Sequence, residues 1–160
     1  MEKLAIEVMK AMAGKTLVTA ESCTGGGIGA ALTGVPGSSA VFKGGIICYT
    51  NEIKSRVLGV DEALLKSKGA VSAPVAEAMA SGARRLLSAD AAVSVTGLAG
   101  PGGDGYGNPV GTVYVGYSDK NGTISRAFLF QGSREDVRRQ SAEAALQIVL
   151  DRNPQISRQG

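Results

Sequence analysis

Leu4, Ala5, Val8, Met9 and Met12 recur at the spacing of one helix face with charges between them, and Gly14 closes that segment. The period then changes. Residues 15–20 form a short, partly β-branched run that predicts a strand, and it stops at the polar cluster Glu21-Ser22-Cys23-Thr24. Gly25-Gly26-Gly27 follows and opens a second helical segment to about Leu32, ended by Gly34 and Pro36. The 34–39 loop is too polar for a strand. Residues 44–50 are a continuous apolar run, which predicts a strand buried on both faces, with a short helix over 51–57 behind it.

Further helices are expected over 61–68, closed by Gly69, and from Ser72 as N-cap, with Pro74 in the first turn, to about Leu87. Residues 91–96 predict a third strand running into the glycine-rich 97–105 segment. The apolar runs 110–117 and 123–130 are joined by Asp119-Lys120-Asn121-Gly122, a hairpin turn, so these strands should be antiparallel neighbours. Ser133 caps a final helix with Glu135 and Asp136 in its first turn and Val137, Ala144, Ala145, Ile148 and Val149 on its buried side; the tail after Arg152 is expected to fray. Strands alternating with helices predict an α/β fold. The expected architecture is one domain over 1–160, a three-layer α/β/α sandwich with a mostly parallel mixed sheet and a closing antiparallel hairpin.

Composition narrows the function. The two cysteines, Cys23 and Cys48, lie in or beside apolar runs without Cys-x-x-Cys spacing, which points to a reduced, cytoplasmic setting and away from thiolate metal sites. No signal peptide is recognisable and no apolar run has membrane-spanning length. The net charge of +3 is dispersed apart from Arg134, Arg138 and Arg139, and aromatics are scarce. A small phosphorylated ligand therefore fits better than a nucleic acid. The chain has no histidine. That excludes Ser-His-Asp and Cys-His catalysis and the histidine-containing zinc sites of hydrolytic metalloenzymes, so a nucleophile here must be activated by lysine, tyrosine or a carboxylate.

Three strand ends, at Ser22, Tyr49 and Thr96, carry polar residues, and in an open, mostly parallel sheet such ends converge on one crevice. Ser22 could merely cap a helix and Lys54 could be an ordinary solvated lysine. Together they make the natural nucleophile and base, because a lysine desolvated in a crevice loses its charge more easily and can accept the serine proton. Tyr49 could relay a proton or donate a hydrogen bond, and the amides after Ser22 could bind an oxyanion. Cys23 is the rival nucleophile, weakened by the lack of a histidine partner. The glycine-rich segment after Thr96 suits a phosphate or ribose loop, although it lacks a Walker lysine.

Thr19-Ala20-Glu21-Ser22-Cys23-Thr24-Gly25-Gly26, Tyr49-Thr50-Asn51-Glu52-Ile53-Lys54, Gly69-Ala70-Val71-Ser72, Thr96-Gly97-Leu98-Ala99-Gly100-Pro101, Pro109-Val110-Gly111-Thr112-Val113 and Val137-Arg138-Arg139-Gln140 together resemble the CinA C-terminal domain family. These are the nicotinamide-nucleotide amidohydrolases, also called PncC. The resemblance covers almost the whole chain in order. It implies hydrolysis of the carboxamide of nicotinamide mononucleotide to nicotinic acid mononucleotide and ammonia in pyridine-nucleotide recycling, with no metal or cofactor, by a cytoplasmic homodimer. It implies Ser22 as nucleophile, Lys54 as base and Tyr49 as helper. Glu21, Cys23, Thr24, Gly25, Gly26 and Asn51, the loop residues Thr96, Gly97, Ala99, Gly100 and Pro101, and the arginines Arg134 and Arg138 would hold the substrate, the arginines by charge-assisted bonds to its phosphate. Many members carry a larger N-terminal domain resembling molybdopterin-binding proteins; it has no counterpart here, which implies the stand-alone form.

Two other classes fit the same features. A non-catalytic nucleotide-binding module would use the glycine loops and arginines without needing a lysine facing a serine, and it predicts binding without turnover. A competence or DNA-damage accessory protein predicts salt-sensitive DNA binding.

Overall fold

The first strand of the sheet is hidden from water along its whole length, because it is hydrogen-bonded on both sides. In the computed structural model, which describes residues 1–155, this strand is β1 (Leu17–Glu21); α1 (Glu2–Ala11) precedes it and α2 (Gly27–Thr33) follows. The order continues with a short 3-10 turn (Ser38–Ala40), β2 (Phe42–Ile47), α3 (Asn51–Leu58), α4 (Glu62–Lys68), α5 (Ala73–Leu86), β3 (Ala91–Gly97), β4 (Thr112–Asp119), β5 (Gly122–Leu129) and α6 (Arg134–Arg152). The five strands lie in the order β2-β1-β3-β4-β5. β1 pairs parallel with β2 and β3, whereas β4 is antiparallel to both β3 and β5. Four strands thus run one way and β4 alone is reversed. The hairpin expected at 119–122 forms there, with Asp119 opposite Gly122.

Alternation along the strands sorts side chains between two helical layers. Leu17, Val93, Val95, Val113, Val115 and Tyr117 face a core closed by α1, α2 and α6. Val18, Ala20 and Ala92 face the other core, closed by Leu58, Leu65, Val75, Met79 and Ala83 of α3 to α5. Helix α5 sits unusually close to the sheet: a Cβ at Gly116 would run into the Ala76 carbonyl and the Ser94 hydroxyl, which are themselves hydrogen-bonded at 2.6 Å. Helix α6 starts in a capping box in which Ser133 and Asp136 satisfy each other's backbone amides.

Three expectations change. β2 is an edge strand, not one buried on both faces; its residues alternate between half-buried and exposed because only β1 pairs with it. Ser72 occupies the N-cap position of α5, but its hydroxyl donates to the Gly69 carbonyl instead of capping an amide. Asn153, in the tail expected to fray, is buried and donates to Tyr117 and to the Val149 carbonyl; residues 156–160 lie outside the described ones. Among the described residues no helix is long and apolar enough to cross a membrane.

Candidate active site

Ser22 is the first residue beyond β1, and pairing continues on both sides of it: its amide donates to the Val95 carbonyl at 3.0 Å, and the Cys48 amide donates to the Glu21 carbonyl at 2.9 Å. By parity Ser22 follows Val18 and Ala20 toward the layer that contains α3. The Thr50 hydroxyl caps α3 by accepting from the Ile53 amide. One turn in, Lys54 reaches back beneath the strand ends and is only 1% exposed.

Lys54 Nζ donates to Ser22 Oγ at 2.9 Å, to the Cys48 carbonyl at 2.8 Å and to the Tyr49 carbonyl at 3.2 Å. The two carbonyls account for both hydrogens of a neutral amine, and the remaining lone pair then faces Ser22 Oγ. Burial pushes the Lys54 pKa below its ordinary value, since desolvation penalises the charged form. The nearby thiols do not counter this with negative charge at neutral pH. Burial raises Cys23 and Cys48 to about 11 each, despite the proximity of Lys54. A thiol at that value is protonated and a poor nucleophile, which ranks Cys23 below Ser22.

The turn after Ser22 is clamped from within. The buried Glu21 carboxylate accepts from Thr24 Oγ1 (2.8 Å), Thr19 Oγ1 (3.2 Å), and the Ile28 and Gly29 amides (2.8 and 3.0 Å) at the start of α2. Gly25 and Gly26 take positive φ, +57° and +102°, a backbone path that residues with a Cβ resist. A cleft of about 310 Å³ is lined by Cys23 and Tyr49, which flank the Ser22–Lys54 pair without either of the two lining it, together with the 97–103 loop and Arg134. Arg134 bridges its mouth, donating to the Gly100 carbonyl and, at 3.3 Å, to the Tyr49 hydroxyl. Another cleft, of about 270 Å³, is lined by Lys15, Arg84, Asp90, Tyr117 and their neighbours around the opposite strand ends; it has no nucleophile beside a buried base.

Several residues expected to meet the substrate have other work. Glu21 is buried with its oxygens occupied, and Thr24 spends its hydroxyl on Glu21. Thr96 shares the parity of Ala92 and Ser94, so it points at α5 and donates to the Ala70 carbonyl at 2.8 Å. Arg138 donates to the Cys23 and Thr24 carbonyls. Asn51 lines a separate cleft with Glu52, Ser55 and Tyr106. Arg139, which was not among the expected substrate residues, forms exposed pairs with Asp136 and Glu143 on α6. The Tyr49 hydroxyl meets Arg134, not Ser22 or Lys54. Gly97, Ala99, Gly100 and Pro101 do line the cleft, beside Leu98, which had not been singled out. The carbonyls of Cys48 and Tyr49, the groups that seat Lys54, have no sequence signature because every residue carries one. Among the described residues no three His, Cys, Asp or Glu side chains gather as a metal site would require.

Residues 1–152 match the family model of the CinA C-terminal domain. The chain belongs to that family. A CinA-like protein of Desulfotalea psychrophila is 51% identical over 136 residues, 85% of this chain and 33% of its own length. The chain therefore spans about a third of the curated CinA-like relatives it matches. Among solved structures, the competence damage-inducible protein A of Klebsiella pneumoniae superposes with a TM-score of 0.91 at 35% identity, covering 94% of each chain. The competence/damage inducible protein CihA of Agrobacterium tumefaciens superposes with a TM-score of 0.90 at 39% identity, covering 94% of this chain and 93% of its own. The mixed five-stranded sheet between helical layers is thus the fold of the CinA superfamily.

Proposed function

We propose that this CinA-family domain is a metal-independent serine amidase that converts nicotinamide mononucleotide and water to nicotinic acid mononucleotide and ammonia. The observation that carries the reading is the buried Ser22–Lys54 contact, with both hydrogens of the neutral amine committed to carbonyls. The substrate comes from the block-by-block resemblance to the nicotinamide-nucleotide amidohydrolases, and the cleft beside the pair, with Arg134 at its mouth, accords with a phosphorylated ligand.

In this mechanism Ser22 Oγ forms a bond to the carboxamide carbon while its proton passes to the neutral Lys54 amine. The carbonyl π pair moves to oxygen, which the backbone amides after Ser22 receive. Collapse of that oxyanion breaks the C–N bond. The departing nitrogen takes the proton back from the Lys54 ammonium and leaves as ammonia. Water then attacks the acyl ester, Lys54 accepts a water proton, and the C–Oγ bond breaks as the proton returns to Ser22. No cofactor enters. The protein works as a cytoplasmic homodimer in pyridine-nucleotide recycling.

The test is product analysis. One equivalent each of ammonia and nicotinic acid mononucleotide per nucleotide consumed is expected; saturable nucleotide binding with no product would assign a binding module instead.

A further inference from the structure

Polar contacts around the turn that follows Ser22 divide its backbone groups by sign. Glu21 collects N–H groups from the start of α2. Arg138, in the second turn of α6, collects carbonyls: its Nε donates to the Cys23 oxygen at 3.0 Å and its Nη2 to the Thr24 oxygen at 3.3 Å. The Gly25 amide donates to the Ser22 carbonyl at 3.1 Å. Among the described residues, the amides of Cys23 and Thr24 have no backbone acceptor.

The C=O and N–H of a trans peptide point in opposite directions. The bond from Nε to the Cys23 oxygen therefore turns the Thr24 N–H, on the other side of the same peptide, away from Arg138. The bond from Nη2 to the Thr24 oxygen, which also accepts the Gly27 amide at 2.9 Å, helps to hold the next peptide, whose N–H belongs to Gly25. That N–H holds the Ser22 carbonyl and so sets the direction of the Cys23 N–H opposite it. One guanidinium thus orients the two unclaimed amides nearest the nucleophile, directly for Thr24 and through one intervening peptide for Cys23. Its charge also polarises these peptides and strengthens their N–H groups as donors.

We propose that Arg138 is the positioning residue of the oxyanion hole, acting through the peptide planes of Cys23, Thr24 and Gly25, and is not a ligand of the substrate phosphate. The assignment rests on the serine-amidase reading above and leaves Arg134, which lines the cleft while Arg138 does not, as the arginine placed to meet an anion there. A lysine at 138 could not span two carbonyls with a planar fork, so Arg138→Lys should recover little of what Arg138→Ala loses.

The experiment compares wild type, Arg138→Ala and Arg138→Lys on nicotinamide mononucleotide and on nicotinamide riboside, which lacks the phosphate, with melting temperatures as a check on folding. For Arg138→Ala, kcat is expected to fall about 10- to 100-fold by the same factor on both substrates, with KM within about threefold, and added methylguanidinium should restore part of it. A raised KM confined to the phosphorylated substrate, with kcat retained, would overturn the assignment and make Arg138 a phosphate ligand. A second readout does not depend on the substrate: the rate at which a fluorophosphonate labels Ser22, followed by mass spectrometry. Labelling slower in Arg138→Ala than in a wild type inert to both substrates would sink the amidase reading and keep the role of Arg138. Equal labelling in the two would overturn that role whatever the substrate.

Discussion

Lys54 Nζ stands 2.9 Å from Ser22 Oγ, with the Cys48 and Tyr49 carbonyls on its other sides. Catalysis through this contact needs the neutral amine. Burial lowers the Lys54 pKa from 10.5, and the two neighbouring thiols stay protonated up to about 11. Activity should rise with pH and level off once pH passes the lowered value, still below 10.5. Lys54→Arg, which stays charged, should be inactive throughout. Stability carries the same sign. The unfolded chain binds the extra proton between the two pKa values, so folding strengthens as pH rises through that window and weakens as pH falls through the folded-state value. Below pH 9.0, the ordinary thiol value above which the raised Cys23 and Cys48 pull stability the other way, urea midpoints against pH for wild type and Lys54→Met would show this dependence in the first and its absence in the second.

Glu21 is a buried carboxylate accepting two amides and two hydroxyls. Glu21→Gln keeps the size but replaces one acceptor oxygen with an N–H₂ that faces donors. A loss of about 2–3 kcal/mol is expected, together with a fall in kcat from the loosened turn. Chemical denaturation would measure it, and an unchanged midpoint would show that the clamp does not need its charge.

Tyr49 contributes its backbone carbonyl to Lys54, while the residue as a whole is 61% exposed and its hydroxyl pairs with Arg134. Tyr49→Phe should therefore leave kcat within about threefold of wild type, since one exposed hydrogen bond is lost. A drop beyond about 100-fold would instead place the phenol in proton transfer.

Gly116 has no space for a methyl group between the Ala76 carbonyl and Ser94. Gly116→Ala should push α5 off the sheet and cost about 3 kcal/mol or more. Gly27 opens α2 with open space, free of other atoms to 4 Å, where a Cβ would stand, so Gly27→Ala should be neutral or stabilising by up to about 1 kcal/mol. Thermal melts of the two variants separate close packing from a general intolerance of glycine replacement.

The element order and the meeting of Ser22 with Lys54 were legible because each leaves a local mark: a change of period, a polar break after an apolar run, a lysine one turn into a helix. What stayed hidden depends on neighbours. The 44–50 run looks the same whether it has one partner strand or two, so its edge position was invisible. Thr96 looks like a strand-end ligand until parity places it with Ser94 on the α5 side of the sheet, where it meets the Ala70 carbonyl in the turn before that helix. An arginine near a helix start reads as a phosphate contact, and nothing local says that Arg138 instead reaches carbonyls more than a hundred residues away. Glu21 had the same ambiguity, since a carboxylate beside a serine can face a substrate or the backbone.

Ammonia release from nicotinamide mononucleotide, by purified wild type and Ser22→Ala, each with and without a chelator, tests the Ser22–Lys54 assignment most directly. Turnover that resists the chelator and falls at least about 10³-fold in Ser22→Ala, while nucleotide affinity holds, is the predicted result. Turnover that survives the loss of Ser22, or that disappears with the chelator, would contradict a serine amidase at this site.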